Sequence, residues 1–122
     1  MVALGVAAAG VVGAVARYLV DGVVQDRTAG TFPFGTFIVN VTGSAVLGVL
    51  TGLAWYHGMG HVPLAIIGIG FCGAFTTWST VSWETVRLAE EGVNGQAVVH
   101  LLGGVLACLA AAAAALAVVG AA

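Results

Sequence analysis

The feature that most constrains this chain is the stretch from Thr28 to Trp83, which contains no Asp, Glu, Lys or Arg. No charged residue follows Glu91, and charged residues make up only 7% of the 122 residues, whereas hydrophobic residues make up 61%. A soluble domain of this length needs charged side chains over most of its surface. The uncharged stretches are therefore typical of helices that lie in lipid, and they predict a multi-pass protein of the cell membrane.

Four transmembrane helices account for the hydrophobic segments. About 20 apolar residues cross a hydrocarbon core of about 30 Å, so the uncharged stretch is too long for one crossing. Polar and helix-breaking residues between His57 and Pro63 divide it in two. We therefore predict one all-α domain over residues 1–122, with helices at about 2–20, 33–56, 62–88 and 95–119. Because Arg17 comes near the end of the first apolar segment, we do not expect a cleavable signal peptide.

Small residues recur at close-packing spacing along the predicted helices. Gly48 and Gly52 form a GxxxG pattern, and Gly103 and Gly104 lie in an alanine-rich fourth helix. Such residues let helix backbones approach closely in lipid, either within one chain or between two chains. Since four short helices enclose little interior, the pattern favours a dimer at least.

The second predicted helix carries polar residues that lipid would not accommodate without a partner or a function. Thr36 and Asn40 are four residues apart, so they lie on one face of the helix. The two N–H donors of Asn40 suit an anion that must shed its water. A hydrogen bond from Asn40 to another helix remains an alternative.

The third predicted helix concentrates hydroxyl side chains where the membrane centre should be. Three glycines, Gly68, Gly70 and Gly73, precede them and weaken the helix. Interrupted backbone is tolerated in membranes only where it is buried in protein or lines a cavity, and there it can coordinate ions. Aromatic side chains in the same stretch offer electropositive ring edges to an anion. A continuous helix whose hydroxyls bond back to their own turns is the alternative. The five hydroxyl residues are Thr76, Thr77, Ser79, Thr80 and Ser82.

A few further residues have open roles. Arg17, with no acid in its own predicted helix, either snorkels to the interface, attracts anions at a vestibule, or pairs with Glu84. We expect His100 to be a satisfied polar contact, and Cys72 and Cys108 to be packing residues.

Several function classes are excluded by what is missing. No nucleophile–base pair, metal-ligand spacing or phosphate-binding loop is present, so we do not expect an enzyme. There is no basic patch for nucleic acid. A proton-coupled drug exporter of four helices needs a membrane-embedded carboxylate, and Val2–Val20 contains none.

Three stretches resemble the signature motifs of the Fluc (CrcB) fluoride channel family. They are GAVARY at Gly13–Tyr18, PFGTFIVNVTGSAVLG at Pro33–Gly48 and GFCGAFTTWSTVSWE at Gly70–Glu84. The resemblance implies a passive, fluoride-selective channel that exports fluoride across the cytoplasmic membrane and so reduces fluoride toxicity. It also implies an antiparallel dimer of inverted subunits, with a third helix broken at its centre.

The same resemblance assigns roles to individual residues. Backbone carbonyls of Gly73 and Thr76 would hold a structural sodium ion together with those of the second subunit. Arg17 and Glu84 would be charges of a vestibule or of the structure. The implied fluoride pathway comprises Asn40, Thr36, Phe75, Trp78, Ser79, Thr80 and Val81.

One departure from the family pattern opens an alternative function. The family usually has FSTF where this chain has WSTV, so Trp78 and Val81 replace two pore phenylalanines. The alternative is a non-conducting or partner-dependent subunit of a heterodimeric fluoride channel.

The arginines indicate how the chain is oriented in the membrane. All three of them fall on one side of a four-helix topology, which predicts a fixed orientation. Both a homodimer and a heterodimer with an inverted homologue remain open.

Overall fold

A computed structural model describes all residues of the chain, from Met1 to Ala122, and consists of four long helices joined by short loops. Each helix is long and apolar enough to cross a membrane, which confirms the predicted all-α membrane fold. The helices are α1 (Val2–Arg27), α2 (Phe34–Tyr56), α3 (His61–Glu90) and α4 (Asn94–Ala121).

The first helix continues well past the end of its apolar segment, to Arg27. Backbone hydrogen bonding does not require apolar side chains, so a helix can extend from lipid into the polar interface. As a result Asp21 lies one turn after Arg17 on the same helix. The expectation that Arg17 has no acid in its own helix was therefore wrong.

The third helix is broken, as predicted. Its N-terminal half ends at Phe75 and its C-terminal half begins at Trp78. Between them the backbone is extended, with φ −81° and ψ 161° at Thr76 and φ −150° and ψ 125° at Thr77. Residues Ala65–Cys72 of the N-terminal half form a π-helix. The break thus places non-helical backbone in the middle of an apolar span.

The break also changes the neighbour of α3. The N-terminal half packs on α1, whereas the C-terminal half packs on the beginning of α4, and α2 packs along α4. A Cβ on Gly48 would collide with the backbone of Ala112, and one on Gly52 would lie 2.8 Å from Cβ of Val119. These two glycines therefore serve packing within the chain, between α2 and α4.

Little of the chain is buried when it is alone. Only 18 of 122 residues are buried, and none of the most apolar part of α4 is among them. Large apolar side chains are exposed on all four helices. The outer surface is therefore suited to lipid or to another apolar protein surface.

Candidate ion pathway at the helix break

The break in α3 is held by a side chain of α2. Nδ2 of Asn40 donates to the carbonyl of Thr77 at 2.9 Å, and Oδ1 accepts from the Thr77 N–H at 2.7 Å. The N–H and the carbonyl of Thr77, which lie at the break, therefore each have a side-chain partner. The second N–H of the Asn40 amide has no partner within the chain, so it is free to donate elsewhere.

Thr77 is also the N-cap of the C-terminal half of α3. Its Oγ1 accepts from the Thr80 N–H at 3.2 Å and lies 2.9 Å from Oγ1 of Thr80 and 3.3 Å from Oγ of Ser79. Thr76 and Ser82 differ, because their hydroxyls donate back to carbonyls of their own turns. The predicted hydroxyl cluster is therefore divided between a cap at the break and ordinary helix contacts.

Backbone carbonyls before the break lose their helical partners, among them those of Gly73 and Thr76. The Thr77 N–H, which would bond the Gly73 carbonyl in a continuous helix, bonds Asn40 instead. The Thr80 N–H, which would bond the Thr76 carbonyl, bonds the Thr77 hydroxyl. The Thr76 carbonyl keeps one long contact, 3.4 Å from Nη1 of Arg17. Carbonyl oxygens are ligands of hard cations, so Gly73 and Thr76 fit the donor set that sodium requires.

A groove of about 360 Å³ runs along the break between α2, α3 and α4. Five of the residues predicted from the sequence line it: Asn40, Gly73, Thr76, Trp78 and Val81. No acidic residue lines it, and its walls are otherwise mostly apolar or small residues. Trp78 is 63% exposed, while Val81 is 7% exposed. The groove therefore offers hydrogen-bond donors to an anion, and it contains no carboxylate that would repel that anion.

A second cavity of about 210 Å³ lies on the other side of the break. Polar residues of α1, α2 and α3 line it, and Thr77 lines both cavities. The break is thus the wall between them. The polar lining residues of the second cavity are Arg17, Tyr18, Asp21, Thr36, Thr77 and Thr80.

The remaining predicted pathway residues lie outside both cavities. Phe75 is buried and stacks on Phe71, with ring centroids 5.4 Å apart and planes at 13°. Ser79 is exposed and contacts Thr77. Within a single chain these two side chains support the break from outside the groove.

Glu84 is paired with residues other than Arg17. Its Oε1 accepts from the Thr36 hydroxyl at 3.1 Å, and its Oε2 lies 3.2 Å from Nε2 of His100. Arg17 instead faces the second cavity and the Thr76 carbonyl. Among the three predicted roles of Arg17, pairing with Glu84 is therefore not found.

Three residues of this region were not assigned to a site from the sequence: Asp21, Thr77 and His100. The spacing of four between Arg17 and Asp21 could have indicated a shared helix face, but the helix was predicted to end at Val20. Thr77 could have been identified as an N-cap. No local pattern indicated that His100 would meet Glu84, which is on a different helix.

Comparison with known proteins yields one family. The family model described as CrcB-like protein, Camphor Resistance (CrcB), matches residues 4–116. A protein of Leifsonia xyli named fluoride-specific ion channel FluC 1 is 53% identical over 91 residues, which are 75% of this chain and 66% of the relative. Proteins of the same name from Frankia casuarinae and Streptomyces avermitilis are 46% and 48% identical over 109 residues. These matches cover 83% and 88% of this chain and 82% and 86% of the two relatives.

Proposed function

This chain belongs to the CrcB family of membrane proteins, and we propose that it is a fluoride-selective channel through which fluoride leaves the cytoplasm passively. The observation that carries the proposal is the break in α3, where Asn40 holds Thr77 and keeps one N–H free beside an acid-free groove. The relatives' names favour a conducting channel over the alternative of a non-conducting subunit.

The groove has the chemistry that fluoride needs. Fluoride is small and strongly hydrated, so a selective path must replace its water with hydrogen-bond donors at close range. Asn40 supplies one amide N–H, and the indole N–H and ring edge of Trp78 supply others. Passive conduction needs no nucleophile and no redox group. The relatives are named as ion channels and not as enzymes, which agrees with such a function.

We propose the following pathway. Arg17, Asp21, Thr36 and Thr80 form a vestibule in the smaller cavity, and Asn40 with Trp78 forms the narrow part in the groove. Phe75, Ser79 and Val81 shape the walls around the break. In this arrangement selectivity depends on width and on the geometry of donors, rather than on a ring of fixed charges.

A second chain is part of the proposal. The groove carries Asn40, Ser44 and Thr76 on an open side of the single chain, and such groups are costly against lipid. An inverted partner covering the groove removes that cost and encloses the path. The partner is either a second copy or a homologue of opposite orientation, and the arginines on one side favour the homologue.

The proposed channel also contains a structural sodium ion. Gly73 and Thr76 of one chain present two carbonyls freed from helical hydrogen bonds, and an inverted partner would present two more. When bound, sodium supplies a fixed positive charge that makes an anion less costly nearby. Residues of this chain position those carbonyls through the Asn40–Thr77 contacts.

Fluoride efflux from liposomes tests the function. Purified chain is reconstituted alone and together with a co-expressed inverted homologue, and release is followed with a fluoride electrode and, in parallel, a chloride electrode. We expect rapid fluoride release without chloride release in at least one preparation. Folded protein that releases neither ion in either preparation, or releases both equally, would overturn the proposal.

A further inference from the structure

His100 is a buried titratable side chain to which the proposed pathway assigns no role. It is 1% exposed, and its Nε2 lies 3.2 Å from Oε2 of Glu84, whose side chain is 12% exposed. The two atoms are not aligned for a hydrogen bond, and Nδ1 of His100 has no partner in the chain. A buried carboxylate is costly in lipid unless a nearby charge or donor compensates it. Whether His100 carries a proton therefore changes the charge balance at Glu84 directly.

The surroundings connect this pair to the groove and shield it from water. The ring of Phe32 meets the imidazole edge-on, with centroids 5.6 Å apart and planes at 90°. Thr36 donates its hydroxyl to the other oxygen of Glu84 at 3.1 Å. His100 also lines the groove that contains Asn40. The imidazole is thus in contact with both the carboxylate and the proposed anion path.

Asp21, whose carboxyl group interacts electrostatically with Glu84, is the other acidic group near the pair. Neither α2 nor the rest of α4 carries a charged residue, and Arg87 lies 3.9 Å from Glu91. Thiols and phenols stay neutral below about pH 8, and an imidazole is the side chain that ordinarily titrates between about pH 5 and 8. The other titratable groups that line the two cavities or lie on the C-terminal half of α3 are Arg17, Tyr18, Asp21, Cys72, Arg87, Glu90 and Cys108.

We propose that His100, acting through Glu84, makes fluoride conduction depend on pH, an inference that rests on the proposed channel function. Uptake of one proton from water by the imidazole adds one positive charge beside Glu84 and the groove. Since added positive charge attracts fluoride, conduction is faster when His100 is protonated. A unit charge about 10 Å away at an effective dielectric constant of about 20 changes the rate about tenfold.

Flux measured as a function of pH tests the effect. Fluoride release is recorded at equal pH on both sides between about pH 6 and 8, and the rate of protein-free liposomes is subtracted because hydrofluoric acid crosses lipid by itself. We expect release to be about tenfold faster at the acidic end. His100→Gln should remove the dependence, whereas His61→Gln, which changes an exposed loop-side histidine, should keep it. A flat profile in the unmodified channel, or a dependence that survives His100→Gln, would overturn the proposal.

A spectroscopic measurement separates this proposal from the channel function. Nitrogen-15 spectra of the reconstituted chain distinguish neutral from protonated imidazoles, and the His100 signal is identified by its loss in His100→Gln. We expect this signal to change from the neutral to the protonated form as the pH is lowered, and Glu84→Gln to alter that change because the imidazolium loses its carboxylate partner. A His100 signal that stays the same at every pH, or that Glu84→Gln leaves unaltered, would overturn the proposal even if flux is absent.

Discussion

Replacing Asn40 by alanine should weaken the break in α3 moderately and stop most fluoride flux. The change removes the two hydrogen bonds to the backbone of Thr77, at 2.7 and 2.9 Å, together with the free N–H of a side chain that lines the groove. The stability effect and the flux effect therefore have different origins in one side chain. They can be measured separately.

The stability cost follows from the environment of the two bonds. A buried donor or acceptor left without a partner costs about 1–3 kcal/mol, so two such groups in a dry site would cost about 2–6 kcal/mol. Side-chain hydrogen bonds between transmembrane helices average only about 0.6 kcal/mol, because the alternative states also find partners. Asn40 is half-buried and lines an open groove, so water can replace part of each bond. We therefore expect a loss of about 2 kcal/mol, too small to prevent folding of a chain of ordinary stability.

The flux effect should be larger. Losing the only amide donor at the narrow part costs more than about 1.4 kcal/mol at the barrier, which is a fall of at least tenfold in rate. Flux is measured in liposomes with a fluoride electrode, and stability by thermal unfolding in detergent. Thr42→Ala is the matched control, since Thr42 lies on the same helix and donates only to carbonyls of its own turn. If Asn40→Ala conducts as fast as Thr42→Ala, Asn40 is not in the pathway and the reasoning fails.

Three further outcomes are expected. Thr76→Ala keeps the backbone carbonyl and loses only a hydroxyl that donates to the carbonyl of Cys72. Fluoride flux should therefore fall less than in Asn40→Ala, and a larger fall would show that the hydroxyl takes part in conduction. Replacing sodium by a large organic cation in every solution should lower the unfolding temperature and the flux, and unchanged values for both would argue against sodium at the Gly73 and Thr76 carbonyls. A single cysteine in the 58–60 loop, after replacement of the native cysteines, should be labelled from one side of intact cells; labelling from both sides would contradict a fixed orientation and indicate an inverted homodimer.

The number and approximate position of the helices followed from residue order alone. Lipid imposes a minimum apolar length on each crossing, and the polar residues from His57 to Pro63 could not lie within a crossing. The break in α3 was also predictable, because glycines and hydroxyl residues accumulate there. Its place at Thr76 and Thr77 was not, since it depends on hydrogen bonds from Asn40, which is distant in sequence.

The limits of the sequence were clearest for charged and aromatic residues. Hydropathy ends near Val20, but α1 continues to Arg27 because its backbone bonds do not depend on polarity, so Asp21 was separated from Arg17. Phe75 stacks on Phe71 and lies outside both cavities of the single chain, so its place along the path stays a prediction. A pattern shows which side chains are available, but not which of them the packing turns toward one another.

The sequence by itself thus determined that lipid is the solvent and how many times the chain crosses it, and it indicated the stretch of α3 where a break was expected. These properties depend on local chemistry: the free energy of placing each side chain and backbone group in hydrocarbon. Only the tertiary structure decided that Asn40 bonds Thr77, that Glu84 meets His100 rather than Arg17, and that one break separates two cavities. Each of these depends on distances between helices, which arise from the packing of all four helices together.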